Sequence, residues 1–548
     1  MPEARIPSRS AVSLLQSCAL LLCLFAPSAW MIATIPPLWR DVDAYNQLTR
    51  DPLVTTFWGH APAYSYAAKV PLYLGEQLER WRGIPVADVA IGLSPLSDTG
   101  VWLLIVAQHL ALAGASFYFI LAISNSFWVR LAVSLVWASN ALFYTFAHCV
   151  GSETLSLILI VLVVAKGLRL IQHRGNPRWI DWYIFTVGLW LCLLSRQVNL
   201  LLILLLPATF LLSWAQNRIS SRFATGDRQK RWLQRLGARR FRQSLIAISV
   251  GIACIAVAHS LTHHLARKTR FHPHSRMGYT FLFRLQFLKP LPPPARAALL
   301  EKVSARASSK EARQLVILMG QMYAESADPD AERFTQRAIP LLFPGETIVP
   351  WEKFDVALNQ MAYAFLLPPI PEHLDAARTD FVAALRTPAT EIVDNLFETT
   401  GYFFEHKDAM PACASLVTFR DASLEAISRI PSQHSYFYLW RGVTCNKLFV
   451  IWFLSLLILL VIARKKKVNV RAIPSYGIAL VAVGLLITAT NSLLTEFLPR
   501  FVLPIWQLLL LSFLILAGSA ADVLIRGSGE SPPGSLSPRA VRGCRKPG

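Results

Sequence analysis

About ten long apolar runs constrain the fold of this 548-residue chain more than any other feature. Each run approaches the ~20 residues that an α-helix needs to cross the hydrocarbon core of a bilayer. Because a membrane span must satisfy its backbone hydrogen bonds internally, each run is predicted to be helical. The sequence therefore predicts an all-α, polytopic membrane helix bundle. The runs lie at 11–36, 101–123, 128–149, 153–171, 179–195, 197–215, 244–262, 447–463, 472–491 and 500–522.

The composition excludes an ordinary soluble enzyme. Hydrophobic residues make up 54% of the chain, charged residues only 16%, and the mean hydropathy is +0.42. The formal net charge of +21 by itself suggests a nucleic-acid partner. However, the basic residues cluster in short segments between the apolar runs, as the loop bias that orients membrane helices requires. We therefore expect the membrane as a partner and no nucleic acid.

The basic clusters also predict an orientation, because cytoplasmic loops carry the excess of Lys and Arg. The clusters lie at 166–178, 218–242, 464–471 and from 526 onward. They place both termini in the cytoplasm of a multi-pass protein of the inner (plasma) membrane. The predicted outer segments are 37–100, short turns near 150, 196 and 492–499, and a large region at 263–446, which is then periplasmic or extracellular.

These boundaries divide the chain into four parts. They are an N-terminal transmembrane module at 1–262 with its first outer loop at 37–100, an extracytoplasmic helical domain at 263–446, the C-terminal transmembrane helices at 447–525, and a disordered cytoplasmic tail at 526–548. The outer domain is thus inserted before the last three spans. Arg5 and Arg9, followed by an apolar stretch, leave a cleaved signal peptide as an alternative for the first run. Cys413 and Cys445 both fall in the predicted outer region, where an oxidising compartment would allow a disulfide.

Two carboxylates follow the first apolar run. Asp41 and Asp43 are two residues apart, so in an extended segment they share one side while Val42 points away. A carboxylate beside a low-dielectric surface has its pKa pushed toward the range of a general base. The alternative is a solvated acidic pair that caps a helix where it leaves the membrane.

The next residues strengthen the catalytic interpretation. Residues 58–66 combine a proline with three aromatic side chains and include His60 and Tyr64. Together with Asp41, four residues before Tyr45, this segment resembles the first outer loop of the GT-C superfamily of polyprenyl-phosphate-dependent glycosyltransferases, such as aminoarabinose transferases and protein O-mannosyltransferases. The resemblance implies that Asp41 is the catalytic carboxylate and that Asp43 is an additional or alternative acid. Tyr45, His60 and Tyr64 would then shape the pocket.

Two further segments are similar to the same family. Glu153, in the sequence Ser-Glu-Thr-Leu, resembles the family's acidic residue before a Leu-rich span, which makes it a pocket candidate. Residues 496–504 resemble the start of a late span, although Glu496 and Arg500 are separated by three residues, which departs from the family's pattern. The resemblance covers residues 11–260 and 447–522, and the region 263–446 lies outside it.

A lipid-linked sugar donor carries phosphate, and arginine offers paired donors that fit phosphate oxygens. Arg196 and Arg500 lie at predicted outer helix ends and are the candidates for binding donor phosphate. The alternative is that both simply extend their charge to the membrane surface. No metal ligand is assigned and no cofactor is certain. An Asp-x-Asp pair such as Asp41 and Asp43 can hold a divalent cation together with donor phosphates, so a cation is possible.

The resulting hypothesis is an inverting glycosyltransferase. It would move a sugar from a polyprenyl-phosphate-linked donor to a lipid, glycan or protein acceptor on the outer face of a bacterial inner membrane. One alternative is a polymerase or ligase of lipid-linked glycans, which would favour paired arginines over an acid. Another is a transporter or envelope scaffold with no chemistry. Transporters tend to place their charges at mid-membrane, whereas here the charges lie at helix ends, which argues against transport but not against a scaffold.

Overall fold

The computed structural model describes most of the chain. The described residues are 9–40, 48–49, 62–86, 94–172, 179–222, 227–269, 277–325, 330–346, 349–405, 416, 423–466, 468, 470 and 472–525. Within these ranges the chain is almost entirely helical, and two β-strands of two residues each pair with one another. The predicted all-α fold class is confirmed. The predicted disordered tail at 526–548 lies outside the described residues.

The elements of the first half follow the predicted runs closely. They are α1 (Arg9–Thr34), β1 (Leu38–Trp39), α2 (Ala63–Trp81), α3 (Asp98–Ile123), α4 (Phe127–Ala138), α5 (Ala141–Ala147), β2 (Cys149–Val150), α6 (Ser152–Gln172), α7 (Trp179–Ser195), a 3₁₀ helix (Gln197–Leu204), α8 (Leu205–Arg222) and α9 (Asp227–Thr269).

The second half begins with shorter helices and ends with three apolar ones. They are α10 (Met277–Arg284) with a 3₁₀ turn (Leu285–Leu288), α11 (Pro293–Arg306), α12 (Lys310–Glu325), α13 (Ala331–Leu342), α14 (Trp351–Leu366), α15 (Pro371–Arg386), α16 (Ala389–Glu405), α17 (Leu424–Ser428), α18 (Ile430–Gln433), a 3₁₀ turn (Ser435–Tyr438), α19 (Cys445–Lys465), α20 (Ala472–Leu494), a 3₁₀ turn (Pro499–Val502) and α21 (Leu503–Ile525).

Eight of the described helices are long and apolar enough to cross a membrane, which makes the chain a multi-pass membrane helix bundle. They are α1, α3, α6, α8 with its preceding 3₁₀ helix, α9, α19, α20 and α21 with its preceding 3₁₀ turn. The helices α4 and α5 pass the same criteria as a pair, bent by 67°. The helix α7 is apolar but has only 17 residues.

The bend between α4 and α5 has an identifiable cause. The Asn140 side chain accepts a hydrogen bond of 3.0 Å from the Leu142 N–H and so caps α5. Polar groups at the break find partners in the segment after α18. The Tyr436 hydroxyl donates to the Ala138 carbonyl at 2.8 Å, and the Trp440 indole donates to Ser139 Oγ at 3.1 Å.

The chain turns back on itself at Arg196, as the sequence predicts. Arg196 has an extended backbone between α7 and the 3₁₀ helix. Trp182 and Phe210, which lie equally far before and after Arg196 in the sequence, have ring centroids 6.2 Å apart. By contrast, the basic segment near 227–242 and the apolar run after it form a single helix, α9, because no proline interrupts them.

The region between α9 and α19 packs in two ways. The helices α10 to α14 surround their own hydrophobic core, which includes Phe281, Met319 and Phe365. The helix α16 instead joins the core of the membrane bundle through Phe397 and Phe403. Here the end of the bundle at which α6 begins is called the capped end, because α16 covers it. Cys445 is buried at the first residue of α19, while its predicted disulfide partner, Cys413, lies outside the described residues.

Candidate functional site

A short parallel strand pair brings the segment after α1 to the start of α6. The Leu38 N–H donates to the His148 carbonyl at 3.0 Å, and the Arg40 N–H donates to the Val150 carbonyl at 3.2 Å. Because these bonds fix the register of β1 against β2, they hold Arg40 beside the first turn of α6.

Arg40 and Glu153 form an ion pair at this position. The Nη1 atom of Arg40 lies 3.0 Å from Oε1 and 3.3 Å from Oε2 of Glu153, and both side chains are buried. Glu153 is in the first turn of α6, where the helix dipole favours a negative charge. Gly151 leaves room for the pair, since a Cβ atom there would lie 3.1 Å from Arg40 Cβ and 3.2 Å from Glu153 Oε2.

Two more arginines approach the same carboxylate. The Nη1 atom of Arg196 lies 3.2 Å from Glu153 Oε1, and the Arg196 side chain is 18% exposed. Arg500, on the 3₁₀ turn before α21, is close enough for its charge to stabilise the Glu153 carboxylate. Three guanidinium groups from distant segments therefore converge on one glutamate. Arg40, Arg196, Arg500 and Glu153 are called the arginine cluster below.

Asn199 fixes the position of Arg196. Its Nδ2 atom donates to Ser156 Oγ at 2.9 Å and to the Cys192 carbonyl at 2.9 Å. Ser156 lies on α6 one turn after Glu153, and Cys192 lies in the last turn of α7. Asn199 thus ties the turn at Arg196 to the helix that carries Glu153.

Tyr64 supports the backbone beneath the cluster. Its hydroxyl accepts a hydrogen bond of 2.9 Å from the Gly151 N–H and donates to Gln108 Oε1 at 3.3 Å. Gln108 in turn donates to the Ala147 and Cys149 carbonyls. Burial raises the pKa of Tyr64 well above its usual value, so the hydroxyl keeps its proton. Tyr64, a predicted pocket residue, is only 2% exposed and acts on the cluster through Gly151.

A buried chain of hydrogen bonds anchors the neighbouring strand segment. His148 Nε2 donates to the Ile35 carbonyl at 2.9 Å, which leaves its Nδ1 to accept from His109 Nε2 at 3.0 Å. His109 Nδ1 then accepts from Ser28 Oγ at 2.9 Å. Every group in this chain finds a partner with both imidazoles neutral. His109 is therefore a hydrogen-bonded packing residue inside the bundle.

The helix α16 holds β1 from the other side. Thr400 Oγ1 accepts a hydrogen bond of 3.0 Å from the Trp39 N–H and lies 2.9 Å from the Trp39 carbonyl oxygen. The Trp39 ring stacks on Phe403 with centroids 4.7 Å apart and an interplanar angle of 6°. Trp39, the residue immediately before Arg40, is therefore held in place by α16, a helix from the large region between α9 and α19.

The comparisons with known proteins give no family for this chain. No family model matches it, and no curated protein is significantly similar to it. The function is therefore inferred from the geometry of the arginine cluster and from the residues beside Arg40 in the sequence.

The structure brings together three of the eight predicted site residues and connects a fourth. Glu153, Arg196 and Arg500 meet in the cluster, and Tyr64 reaches it through the Gly151 backbone. The other four predicted positions lie outside the described residues, and their roles stay predictions. They are Asp41, Asp43, Tyr45 and His60.

Sequence reasoning missed Arg40 and Thr400. Arg40 could have been identified from the sequence. It is a basic residue just after the first apolar run, it lies away from the predicted cytoplasmic clusters, and it directly precedes Asp41. Thr400 had no signal, because its role depends on the packing of α16 against β1, more than 350 residues away in the chain.

Within the parts of the chain that the structure describes, no three His, Cys, Asp or Glu side chains are placed to hold a metal ion. The pair on which the predicted divalent cation depends, Asp41 and Asp43, lies outside those parts. The cation therefore remains a hypothesis.

Proposed function

We propose that this chain is a membrane glycosyltransferase of the GT-C type. It would move a sugar from a polyprenyl-phosphate-linked donor to a lipid, glycan or protein acceptor at the outer face of the inner membrane. The observation that carries the proposal is the convergence of Arg40, Arg196 and Arg500 on Glu153 at one end of the bundle. Arg40, a member of this cluster, directly precedes Asp41 in the sequence.

The cluster contains the residue type that suits a phosphate. Among its four residues, three guanidinium groups surround the single carboxylate of Glu153. Each guanidinium has five N–H donors, so Arg196 and Arg500 can keep their contacts within the protein and still donate to phosphate oxygens. Arg196 is the partly exposed member that touches Glu153, and the buried Arg40 and Glu153 fix its orientation.

The proposed reaction is a single displacement at the anomeric carbon. Asp41, with Asp43 as an additional acid, takes a proton from the acceptor hydroxyl, amine or amide as that group attacks. The bond from the anomeric carbon to the phosphate oxygen breaks, and its electron pair leaves with the polyprenyl phosphate. Arg196 and Arg500 stabilise the charge that grows on this phosphate. Tyr45 and His60 shape the sugar pocket.

The proposed topology has ten spans. Eight are the long apolar helices, and the bent α4–α5 pair and α7 supply the other two. Both termini then lie in the cytoplasm, and the capped end faces the periplasm. In this arrangement the helices α10 to α18 lie on the acceptor side, where they would select the acceptor.

One observation favours the polymerase or ligase as a second candidate. Glu153 is engaged by two arginines, so the described part of the site offers arginines instead of a free carboxylate base. An enzyme that depends on arginines alone would fit this part of the site equally well.

A lipid analysis of cells that produce matched variants separates the two candidates. If the chain is the transferase, Asp41→Asn should stop the consumption of the polyprenyl-phosphate sugar while the protein level in the membrane stays unchanged. The consumption is measured by mass spectrometry of lipid extracts. The ligase requires that Asp41→Asn remain active while Arg196→Ala is inactive. Arg80→Ala, at an exposed ion pair on α2, serves as the control. Full consumption in both site variants would refute both enzymes.

A further inference from the structure

The helix α2 presents an exposed apolar face. Val70, Tyr73, Leu74 and Trp81 are 63%, 61%, 52% and 83% exposed. Their spacing places them on one side of the helix. The opposite side is buried against the bundle through Tyr64, Ala68, Leu72, Gly75 and Glu79. Apart from the exposed Gln77 this face is apolar, which indicates an interaction surface.

The contacts of α2 fix its level relative to the membrane. Tyr64 meets Gln108, and Gly75 packs so closely on Gly100 that a Cβ atom at Gly75 would lie 2.2 Å from Gly100 Cα. Glu79 Oε1 accepts a hydrogen bond of 2.7 Å from the Thr99 N–H. The second half of α2 therefore runs beside the first turn of α3, while Tyr64 at the start of α2 lies beside Gln108, ten residues after the start of α3.

Those turns of α3 reach the membrane interface. The helix α3 has 26 residues, and at about 1.5 Å per residue it is about 39 Å long, longer than a hydrocarbon core of about 30 Å. Its first turns consequently extend into the head-group layer at the capped end. Because the second half of α2 packs beside them, its exposed apolar side chains from Tyr73 to Trp81 lie at the same level.

The side chains of α2 are of the types expected at the membrane interface. Tyr73 and Trp81 are the residue types enriched where hydrocarbon meets head groups. The charged side chains border one side of this face, where Arg80 Nε donates to Glu76 Oε1 at 2.9 Å. An apolar face, interfacial aromatic residues and a charged edge are the pattern of a helix that docks at the membrane interface.

We infer that α2 is an interfacial helix whose apolar face docks on the phospholipids of the leaflet at the capped end. The partner of this face is lipid, because the face lies at the same depth as the first turns of the membrane span α3. The helix also connects this leaflet to the arginine cluster, since Tyr64 at its first turn bonds the Gly151 N–H. The inference does not depend on sugar transfer.

Photocrosslinking in a bilayer of defined composition tests whether the apolar face of α2 contacts phospholipid. The full chain is prepared with p-benzoylphenylalanine in place of Tyr73, of Trp81 or, as the matched control on the charged edge, of Arg80. Each protein is reconstituted in vesicles of phosphatidylethanolamine and phosphatidylglycerol, irradiated, and analysed by intact mass. We expect a mass increase of one phospholipid at positions 73 and 81, several-fold more abundant than at position 80.

Any other distribution overturns the inference. Crosslinks from position 73 or 81 to the chain itself would show that another segment covers the face. Crosslinks between two copies would show that it is a protein interface. Equal phospholipid labelling at all three positions would show that α2 has no preferred lipid face.

Discussion

The guanidinium of Arg40 touches both carboxylate oxygens of Glu153, at 3.0 and 3.3 Å, although 113 residues separate the two in the chain. Both side chains are buried, and removing two charges from water is costly unless further contacts satisfy them. Arg196 supplies such a contact, and the nearby charge of Arg500 adds to it. The pair therefore joins the loop after the first span, the start of α6 and two later helix ends into one unit.

Loss of the Glu153 charge should destabilise the protein strongly. Glu153→Gln leaves buried guanidinium groups without their carboxylate, which costs about 3–5 kcal/mol for a buried pair. We expect a clear fall in Tm in detergent, measured by intrinsic tryptophan fluorescence. Glu76→Gln, which removes the i,i+4 pair with exposed Arg80, should change stability by no more than about 0.5 kcal/mol. Equal Tm values for the two variants would contradict a central role for Glu153.

Arg196→Lys should preserve charge but lose transfer. Lysine places a point charge where arginine places a planar fork, so phosphate oxygens lose paired donors. If Arg196 holds the departing phosphate, we expect a rate loss of about 10²-fold, comparable to the loss of one oxyanion donor. The readout is consumption of the lipid-linked sugar at matched protein levels. A near wild-type rate would remove Arg196 from donor binding.

Gly151→Ala should disturb the arginine cluster directly. The new Cβ atom would lie 3.1 Å from Arg40 Cβ and 3.2 Å from Glu153 Oε2, in a place where the ion pair prevents easy movement. Overpacking of this kind costs about 1–3 kcal/mol, so Tm should fall. Gly114→Ala is the control, because a Cβ atom there has no neighbour within 4 Å in the described structure. We expect the control to be neutral or slightly stabilising, and a similar fall in both variants would disprove the steric argument.

Thr400→Val should weaken the hold of α16 on β1. Valine has nearly the shape of threonine but can neither accept from the Trp39 N–H nor donate a hydrogen bond. Losing such a buried partner costs about 1–3 kcal/mol. Thr400→Ser keeps the hydroxyl and should retain more stability than Thr400→Val in thermal unfolding. The reverse order would show that the methyl contact, and not the hydrogen bonding, holds β1.

His373 should make stability depend on pH. Burial lowers the pKa of His373 below its ordinary value of 6.5, and the Arg284 charge adds to this, while the hydrogen bond to the Leu493 carbonyl opposes it. The unfolded chain therefore binds a proton below pH 6.5 that the folded chain resists. Stability is complete above that pH and falls as the pH decreases through it. His373→Gln should reduce the loss of Tm between about pH 7.5 and about pH 5.5, and an unchanged loss would exclude this imidazole as a cause.

Much of the bundle could be predicted because its signals are local. Each of the ten apolar runs is mostly helical, although the run at 128–149 is divided between α4 and α5. The chain turns at Arg196, and Glu153 lies in the first turn of a helix. The candidate site was predictable only in part. Arg196 and Arg500 were found because charges at helix ends are conspicuous between apolar runs. Arg40 was not, because its role appears only when β1 pairs with β2.

The sequence by itself determined that this is a helical membrane protein, because apolar length and the requirement for internal backbone hydrogen bonds leave a bilayer chain few other choices. Only the tertiary structure decided which charges meet. Spacing along the chain says nothing about distance between segments, and the pairing of Arg40 with Glu153 depends on a two-residue strand pair and on Thr400 from a distant helix. The same holds for α2, whose exposed apolar face became visible once its other face was seen to pack on α3.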